Sequence, residues 1–286
     1  MTALTPVAPV PETVPVTPRR RGRPRLWRAV VLALAALYFL VPLAASFWYT
    51  VHNEATGLSF APYAELWAAE GFLPSLLLSF GLALATIVLV LLLTLPAMIT
   101  VRLAAPRLRP VMEVICTLPL VVPPITLVAG VGKSLQAGGE VLAPTPFWAT
   151  LIALQDQDFP LVLVFVYVIL VLPFVYRSLD AGLRTMDVRT LVEAARNLGA
   201  SWPHVMLRVI VPNLRTALAG AAFLTLALVL GEYTVASILG YQPFAVWIVT
   251  ISGAKGQLSV AASVLSLLLT WLLLLTISGG SRDRSA

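Results

Sequence analysis

The sequence predicts an all-α membrane protein with six transmembrane helices. Of its 286 residues, 59% are apolar and only 11% are charged, and the mean hydropathy is +0.93. Soluble domains carry about 25% charged residues. In addition, uncharged runs of about 18 residues or more recur along the chain, and a helix of about 20 residues crosses the hydrocarbon core of a bilayer. The predicted spans are 29–51, 71–101, 114–132, 159–176, 216–231 and 258–280.

The first run favours an uncleaved span over a signal peptide, because it stays uncharged for longer than the roughly 7–15 residues of a signal core. In the third span, Pro119, Pro123 and Pro124 predict a kink. The fifth span is predicted to extend past Glu232. Gly240, Gln242 and Pro243 interrupt the uncharged residues that follow, which predicts a re-entrant or interfacial piece on the outer side.

The ends of the chain differ in composition from the apolar middle. Residues 1–26 are rich in proline and arginine, which predicts a disordered cytoplasmic head. Residues 27–280 form the predicted transmembrane domain, and 281–286 form a short cytoplasmic tail.

The basic residues predict the orientation of the spans. With a cytoplasmic N-terminus, every one of the 19 lysines and arginines except Lys133 and Lys255 falls on the inner side. This asymmetry is typical of cytoplasmic loops and places both termini in the cytoplasm. The positive net charge therefore reports membrane topology and does not indicate a nucleic-acid partner.

The loop between spans four and five, residues 187–212, has the sequence features of two short helices. Asp187 can cap the first helix, and Thr190 with Glu193 offers an alternative capping box. Gly199 suits the left-handed position that ends a helix, and Ser201 can cap the second. The spacing of four side chains predicts one apolar face on the first helix: Leu191, Val192, Ala195 and Leu198.

This loop resembles the EAA loop of ABC importer permeases with the MetI-like, type I fold, and the resemblance extends over about 73–277. The resemblance implies a coupling helix that docks in a cleft of a separate ATPase. Glu193 would make a polar contact, the two alanines would allow close approach, and Gly199 would form the bend. The matching residues are Glu193, Ala194, Ala195, Gly199, Ala200 and Pro212.

The resemblance also implies the partners. These are two ATP-binding subunits, a second permease subunit that is homologous or identical, an extracytoplasmic solute-binding protein and membrane lipid, in the inner membrane of a bacterial cell. ATP and Mg²⁺ would bind the partner ATPase, so no cofactor is expected on this chain.

The sequence around Gly130 and Lys133 partly matches a phosphate-binding loop, but Leu127 occupies the position at which that motif needs its first glycine.

The run 172–180 and the segment 231–234 are most similar to permeases for polyamines such as spermidine and putrescine, grouped with those for opines and phosphonates. Ferric-iron, sulfate and thiamine permeases are the alternatives. Glu232, Tyr233 and Pro123 are the candidates for the translocation path or its gate, since an acid within a membrane indicates function. Alternatively, Glu232 caps a helix end, or serves an ion-coupled secondary transporter. We predict no catalytic residues and no metal site.

Overall fold

The computed structural model describes residues 26–53 and 57–282, so the predicted head (apart from Leu26) and residues 283–286 of the tail lie outside the described residues. The described part is helical, apart from an antiparallel pairing of His52–Asn53 with Gly57–Leu58. A 3₁₀ turn precedes α4 (Pro106–Leu108), another follows it (Leu118–Leu120), and Val205–Ile210 is π-helical. The α-helices are α1 Leu26–Val51, α2 Ala61–Ala68, α3 Phe72–Ala104, α4 Arg109–Thr117, α5 Pro124–Leu142, α6 Phe147–Leu154, α7 Leu161–Arg184, α8 Val188–Asn197, α9 Trp202–His204, α10 Val211–Asn213, α11 Arg215–Leu230, α12 Thr234–Leu239, α13 Phe244–Ser252 and α14 Gly256–Arg282.

Six candidate spans are present when each bent helix pair is counted as one, which confirms the predicted fold class. The four single helices that are long and apolar enough to cross a membrane are Trp27–Val51, Phe72–Ala104, Leu161–Arg184 and Gly256–Leu273. The bent pairs are Pro106–Leu120 with Pro124–Leu142, at 94°, and Trp202–Asn213 with Arg215–Leu230, at 81°.

The prolines break the third span, as predicted. Pro123 has extended backbone angles, with φ −58° and ψ 136°, between the 3₁₀ turn and α5. This follows from Pro124, because a proline pushes the residue before it out of the helical region. Helix α5 continues past the predicted end of the span at residue 132, to Leu142.

The predicted extension of span five past Glu232 is wrong. Helix α11 ends at Leu230, and Gly231 occupies its C-cap. The chain continues as α12 and α13, each too short to cross a bilayer. Gly240 separates them with a left-handed φ of 82°, which confirms the predicted interruption at this glycine.

Helix α7 lies at the centre of the core, between α3 and α11. Its side chains Leu163, Tyr167 and Leu179 are almost completely buried. Gly182 allows α11 to approach closely, because a Cβ at this position would lie 2.5 Å from the Cβ of Ala217. The hydroxyl of Ser178 also donates a hydrogen bond to the carbonyl oxygen of Ala217, at 2.9 Å. These contacts fix α7 and α11 against each other.

Long-range contacts define two ends of the helical assembly. At one end, which we call the basic end, the guanidinium groups of Arg102, Arg109 and Arg184 all contact the carboxylate of Asp180. At the far end, the indole N–H of Trp247 donates to the carbonyl of Glu70 at 3.0 Å. The loops that follow α3 and α7 therefore lie at the same end, as the charge pattern predicts.

Candidate functional site

Asp187 starts helix α8 at the basic end. Its carboxylate accepts hydrogen bonds from the hydroxyl of Thr190, at 2.7 Å, and from the backbone N–H of Thr190, at 3.2 Å. These bonds lower the pKa of Asp187 because they stabilise the ionised carboxylate. The alternative capping box is wrong, since Thr190 lies inside the helix and the side chain of Glu193 bonds elsewhere.

Gly199 ends α8, as predicted. Its φ is +83°, and its N–H donates to the carbonyl of Arg196 at 2.9 Å. The N–H of Ala200 reaches the carbonyl of Ala195 at 3.1 Å, which completes a Schellman motif. A Cβ at Gly199 would meet no atom within 4 Å. The position therefore needs glycine for its backbone conformation and not for space.

The apolar face of α8 agrees only in part with the prediction, since Leu191 is half-buried and is not among the side chains that pack against the core. Val188 and Val192 are buried, and Ala195 packs against the core. Leu198, however, is 89% exposed. The N–H of Leu198 still bonds to the carbonyl of Ala194, so this C-cap residue follows the helical spacing, and its exposure means that no other segment covers the end of α8 on that side. The side chain of Leu198 is therefore exposed next to the bend at Gly199.

Glu193 and Ala194 lie on the exposed side of the same helix. The carboxylate of Glu193 accepts a hydrogen bond from Nε of Arg189 at 2.8 Å, one helical turn earlier. The side chains of this pair are 60% and 80% exposed. We refer to Glu193, Ala194, Leu198 and Gly199 as the docking face, after the role that the sequence resemblance predicts for this loop. It combines a fixed carboxylate, small residues and an exposed leucine.

A second helical segment, Trp202–Asn213, follows the bend, as predicted. Ser201 occupies its N-cap, but its side chain makes no capping hydrogen bond. The guanidinium of Arg196 lies 5.8 Å from the ring centre of Trp202, a cation–π contact that ties this segment to α8. Ala200 is half-buried near the start of the segment, whereas Pro212 is exposed near its end.

A cavity of about 320 Å³ lies between the broken third span, α7 and the end of α11. Its walls are mainly aliphatic and aromatic, and Glu232 supplies the carboxylate. The lining residues are Pro119, Leu120, Val122, Pro124, Tyr167, Leu170, Val171, Phe174, Leu228, Val229, Glu232 and Thr234.

Glu232 both lines this cavity and caps a helix. One carboxylate oxygen accepts the N–H of Val235 at 2.7 Å, and the other accepts the N–H of Ala236 at 3.2 Å. Both N–H groups belong to the first turn of α12. The second oxygen also accepts the hydroxyl of Tyr167, at 3.2 Å. Glu232 therefore caps a helix end, as one of the two alternatives predicts, while its position in the cavity wall leaves the role in the path as a prediction.

The other candidates for the path lie beside the cavity. Pro123 stands between the lining residues Val122 and Pro124 but does not itself line the cavity. Tyr233 is the N-cap residue of α12 and is 41% exposed. Sequence reasoning missed Tyr167, because nothing in the sequence distinguishes it from Tyr176 in the same span.

Among the described residues, no group of three or more His, Cys, Asp or Glu could hold a metal ion.

Residues 106–283, more than half of the chain, match the family of binding-protein-dependent transport system inner membrane components. The chain belongs to this family. It is a membrane permease subunit of an ABC importer, a component that is not itself an enzyme. The match begins after the second span, later than the predicted residue 73, and includes both the docking face and the cavity.

The permease is also similar in structure to a chain described as "Crystal structure of a bacterial ABC transporter involved in the import of the acidic polysaccharide alginate". The two chains are 17% identical, with a TM-score of 0.59 over 92% of this chain and 100% of the other. At this identity the likeness concerns the fold. A comparison with curated proteins found no match.

Proposed function

We propose that this permease carries a positively charged solute inward across the bacterial inner membrane, with a polyamine such as spermidine or putrescine as the best candidate. The observation that carries this proposal is the carboxylate of Glu232 in an otherwise largely apolar cavity. A polyamine combines ammonium groups with apolar methylene segments. The ammonium would pair with Glu232, and the methylene groups would contact the aliphatic walls.

The hydrogen bonds of Glu232 are compatible with this role. A carboxylate offers about four lone-pair sites, and three are taken by Tyr167, Val235 and Ala236. One site is left for a donor from the solute. In a cavity of low polarity, a fixed negative charge attracts cations and repels anions strongly.

The negative charge of Glu232 also distinguishes between the alternative substrates. Ferric iron and thiamine are positively charged and would be attracted by Glu232. Sulfate would be repelled, and so would acidic opines and phosphonates or an acidic polysaccharide such as the one named for the similar transporter. An ion-coupled secondary transporter would also use an acid within the membrane.

The second part of the proposal concerns the source of energy. We infer that a separate ATPase docks on the docking face, which offers the carboxylate of Glu193 and the exposed Leu198. An exposed apolar side chain suits the core of a protein interface, which is more apolar than its rim. The basic end and both termini would be cytoplasmic. The complete importer would contain two ATP-binding subunits, a second permease subunit and an external solute-binding protein, with ATP and Mg²⁺ on the ATPases.

Uptake into proteoliposomes tests this proposal. The chain is reconstituted with its ATPase, second permease and binding protein, and uptake of radiolabelled spermidine is measured. We expect uptake only when ATP is inside and the binding protein outside. Uptake driven by a proton or sodium gradient without ATP would contradict the proposal and favour a secondary transporter.

Glu232→Gln is expected to reduce spermidine uptake at least about tenfold, the effect of losing one charge-assisted hydrogen bond of roughly 1.5 kcal/mol or more. The amide oxygen of Gln can still accept the N–H of Val235, so one of the two capping bonds of α12 is kept, while the bond from Ala236 is lost. Tyr167→Phe is the matched control, because it removes a hydrogen bond to Glu232 but keeps the carboxylate. Unchanged uptake in Glu232→Gln, or an equal loss in Tyr167→Phe, would refute a direct contact with the solute.

A further inference from the structure

Three arginines converge on one carboxylate at the basic end. Arg102 Nη2 lies 2.6 Å from one oxygen of Asp180, and Arg109 Nη2 lies 3.3 Å from the same oxygen. Arg184 Nε lies 2.7 Å from the other oxygen. We call these four residues the Asp180 cluster. It joins the end of α3, the start of α4 and the end of α7.

The cluster carries more positive than negative charge. One carboxylate balances one of the three guanidinium groups, so two positive charges remain. Glu113 lies one turn after Arg109 on α4, but no ion pair between them occurs in the described part of the chain. Even if Glu113 is counted, the cluster keeps one excess positive charge.

The arginines differ in exposure. Arg102 is 16% exposed and also donates to the carbonyl of Leu183 at 2.7 Å, so it belongs to the interior. Arg109 and Arg184 are 41% and 60% exposed. A guanidinium has five N–H donors. Within residues 26–53 and 57–282, Arg109 and Arg184 each use only one of them, towards Asp180.

We propose that Arg109 and Arg184 form a binding site for a phosphate group, and that this phosphate is the headgroup of an anionic phospholipid. Guanidinium groups bind phosphate oxygens through paired N–H donors. Asp180 holds both side chains from the interior, which lowers the entropy cost of fixing two long side chains. The phosphate would neutralise the excess charge from the outer side.

Two further observations favour a lipid over a free phosphate ion. The cluster lies where spans begin and end, and basic sites between transmembrane helices bind anionic headgroups at this depth. Apolar side chains also flank Arg109, since Leu108 and Val111 are 52% and 53% exposed. These side chains would contact acyl chains, whereas a free phosphate ion would gain nothing from them.

Native mass spectrometry of the full-length chain in detergent tests this site. The protein is titrated with phosphatidylglycerol or phosphatidylcholine, and the retained lipid is counted. We expect preferential retention of phosphatidylglycerol, reduced about tenfold or more in R109Q/R184Q, because each basic residue near an anionic surface contributes roughly 1 kcal/mol. The matched control is R177Q/R208Q, which removes two exposed arginines outside the cluster.

The single variant R109Q distinguishes a loss of lipid binding from misfolding, because it removes only the longest contact of the cluster, at 3.3 Å. It should fold and show part of the loss. Equal retention in R109Q/R184Q and the unchanged protein would overturn the proposal. So would an equal loss in R177Q/R208Q, which would indicate nonspecific attraction. Displacement of the lipid by inorganic phosphate at the same concentration would identify free phosphate as the ligand and refute the lipid assignment.

Discussion

Gly199→Val is expected to impair ATP-driven uptake strongly while the chain still inserts into the membrane. Gly199 has φ +83°, a conformation that costs an L residue about 1–2 kcal/mol and a β-branched one more. A Cβ there would meet no neighbour, so the strain acts on the backbone of the bend alone. Relieving it moves Leu198 and the end of α8, and with them the docking face. Uptake should fall at least about tenfold, the effect of roughly 1.4 kcal/mol.

Two control variants isolate this cause. Gly199→Asn should keep most of the uptake, because asparagine tolerates the left-handed region. Gly253→Val should be nearly neutral, since Gly253 has an ordinary φ of −68° and also has open space at its Cβ. Membrane insertion is checked by fractionation and coupling by uptake per ATP hydrolysed. Normal uptake by Gly199→Val would refute the role of the bend.

Glu193→Lys is expected to uncouple ATP hydrolysis from uptake. The change breaks the 2.8 Å ion pair with Arg189 and places two positive charges one turn apart. The cost to α8 itself is small, because like charges at this spacing destabilise a helix by about 0.2–0.5 kcal/mol. The pair formed by residues 189 and 193 nevertheless changes from a net charge of zero to +2. When both are measured in the same proteoliposomes, ATP hydrolysis should therefore continue while uptake falls.

A charge swap distinguishes a contact with the ATPase from an effect on the helix. Arg189→Glu combined with Glu193→Lys restores an intrahelical ion pair but moves the carboxylate by one turn. If Glu193 contacts the ATPase, the swapped variant should remain uncoupled. Full recovery in the swapped variant would mean that Glu193 acts only by stabilising α8.

Local backbone rules made α8 and its ends predictable. Asp187 and Gly199 act within four residues of themselves, and both lie where the capping rules place them. The break at Pro123 is predictable for the same reason. Leu198 shows the limit of helical periodicity, because the spacing predicts the direction of a side chain but not whether another segment packs over it at the helix end.

Contacts between distant segments were not predictable. Of the three arginines that contact Asp180, only Arg184 is near it in sequence; Arg102 and Arg109 reach it through the packing of three spans. Similarly, an acid near a membrane boundary suggests a function for Glu232, yet its hydrogen bond to Tyr167 joins residues 65 positions apart. Such pairings depend on how the helices assemble, which hydrophobic patterning in one sequence does not specify.

The docking of an ATPase on the loop is the central claim, and cross-linking tests it most directly. Cys116 is the single cysteine of the chain and is buried, so Leu198→Cys adds a far more accessible thiol on the docking face. A photo-reactive label on this thiol, activated in native membranes, should cross-link the chain to an ATP-binding subunit. Arg107→Cys, exposed in the loop between α3 and α4 at the basic end, should give much less of this product. Equal products at both positions, or no cross-link to an ATP-binding subunit at Leu198→Cys, would contradict the account.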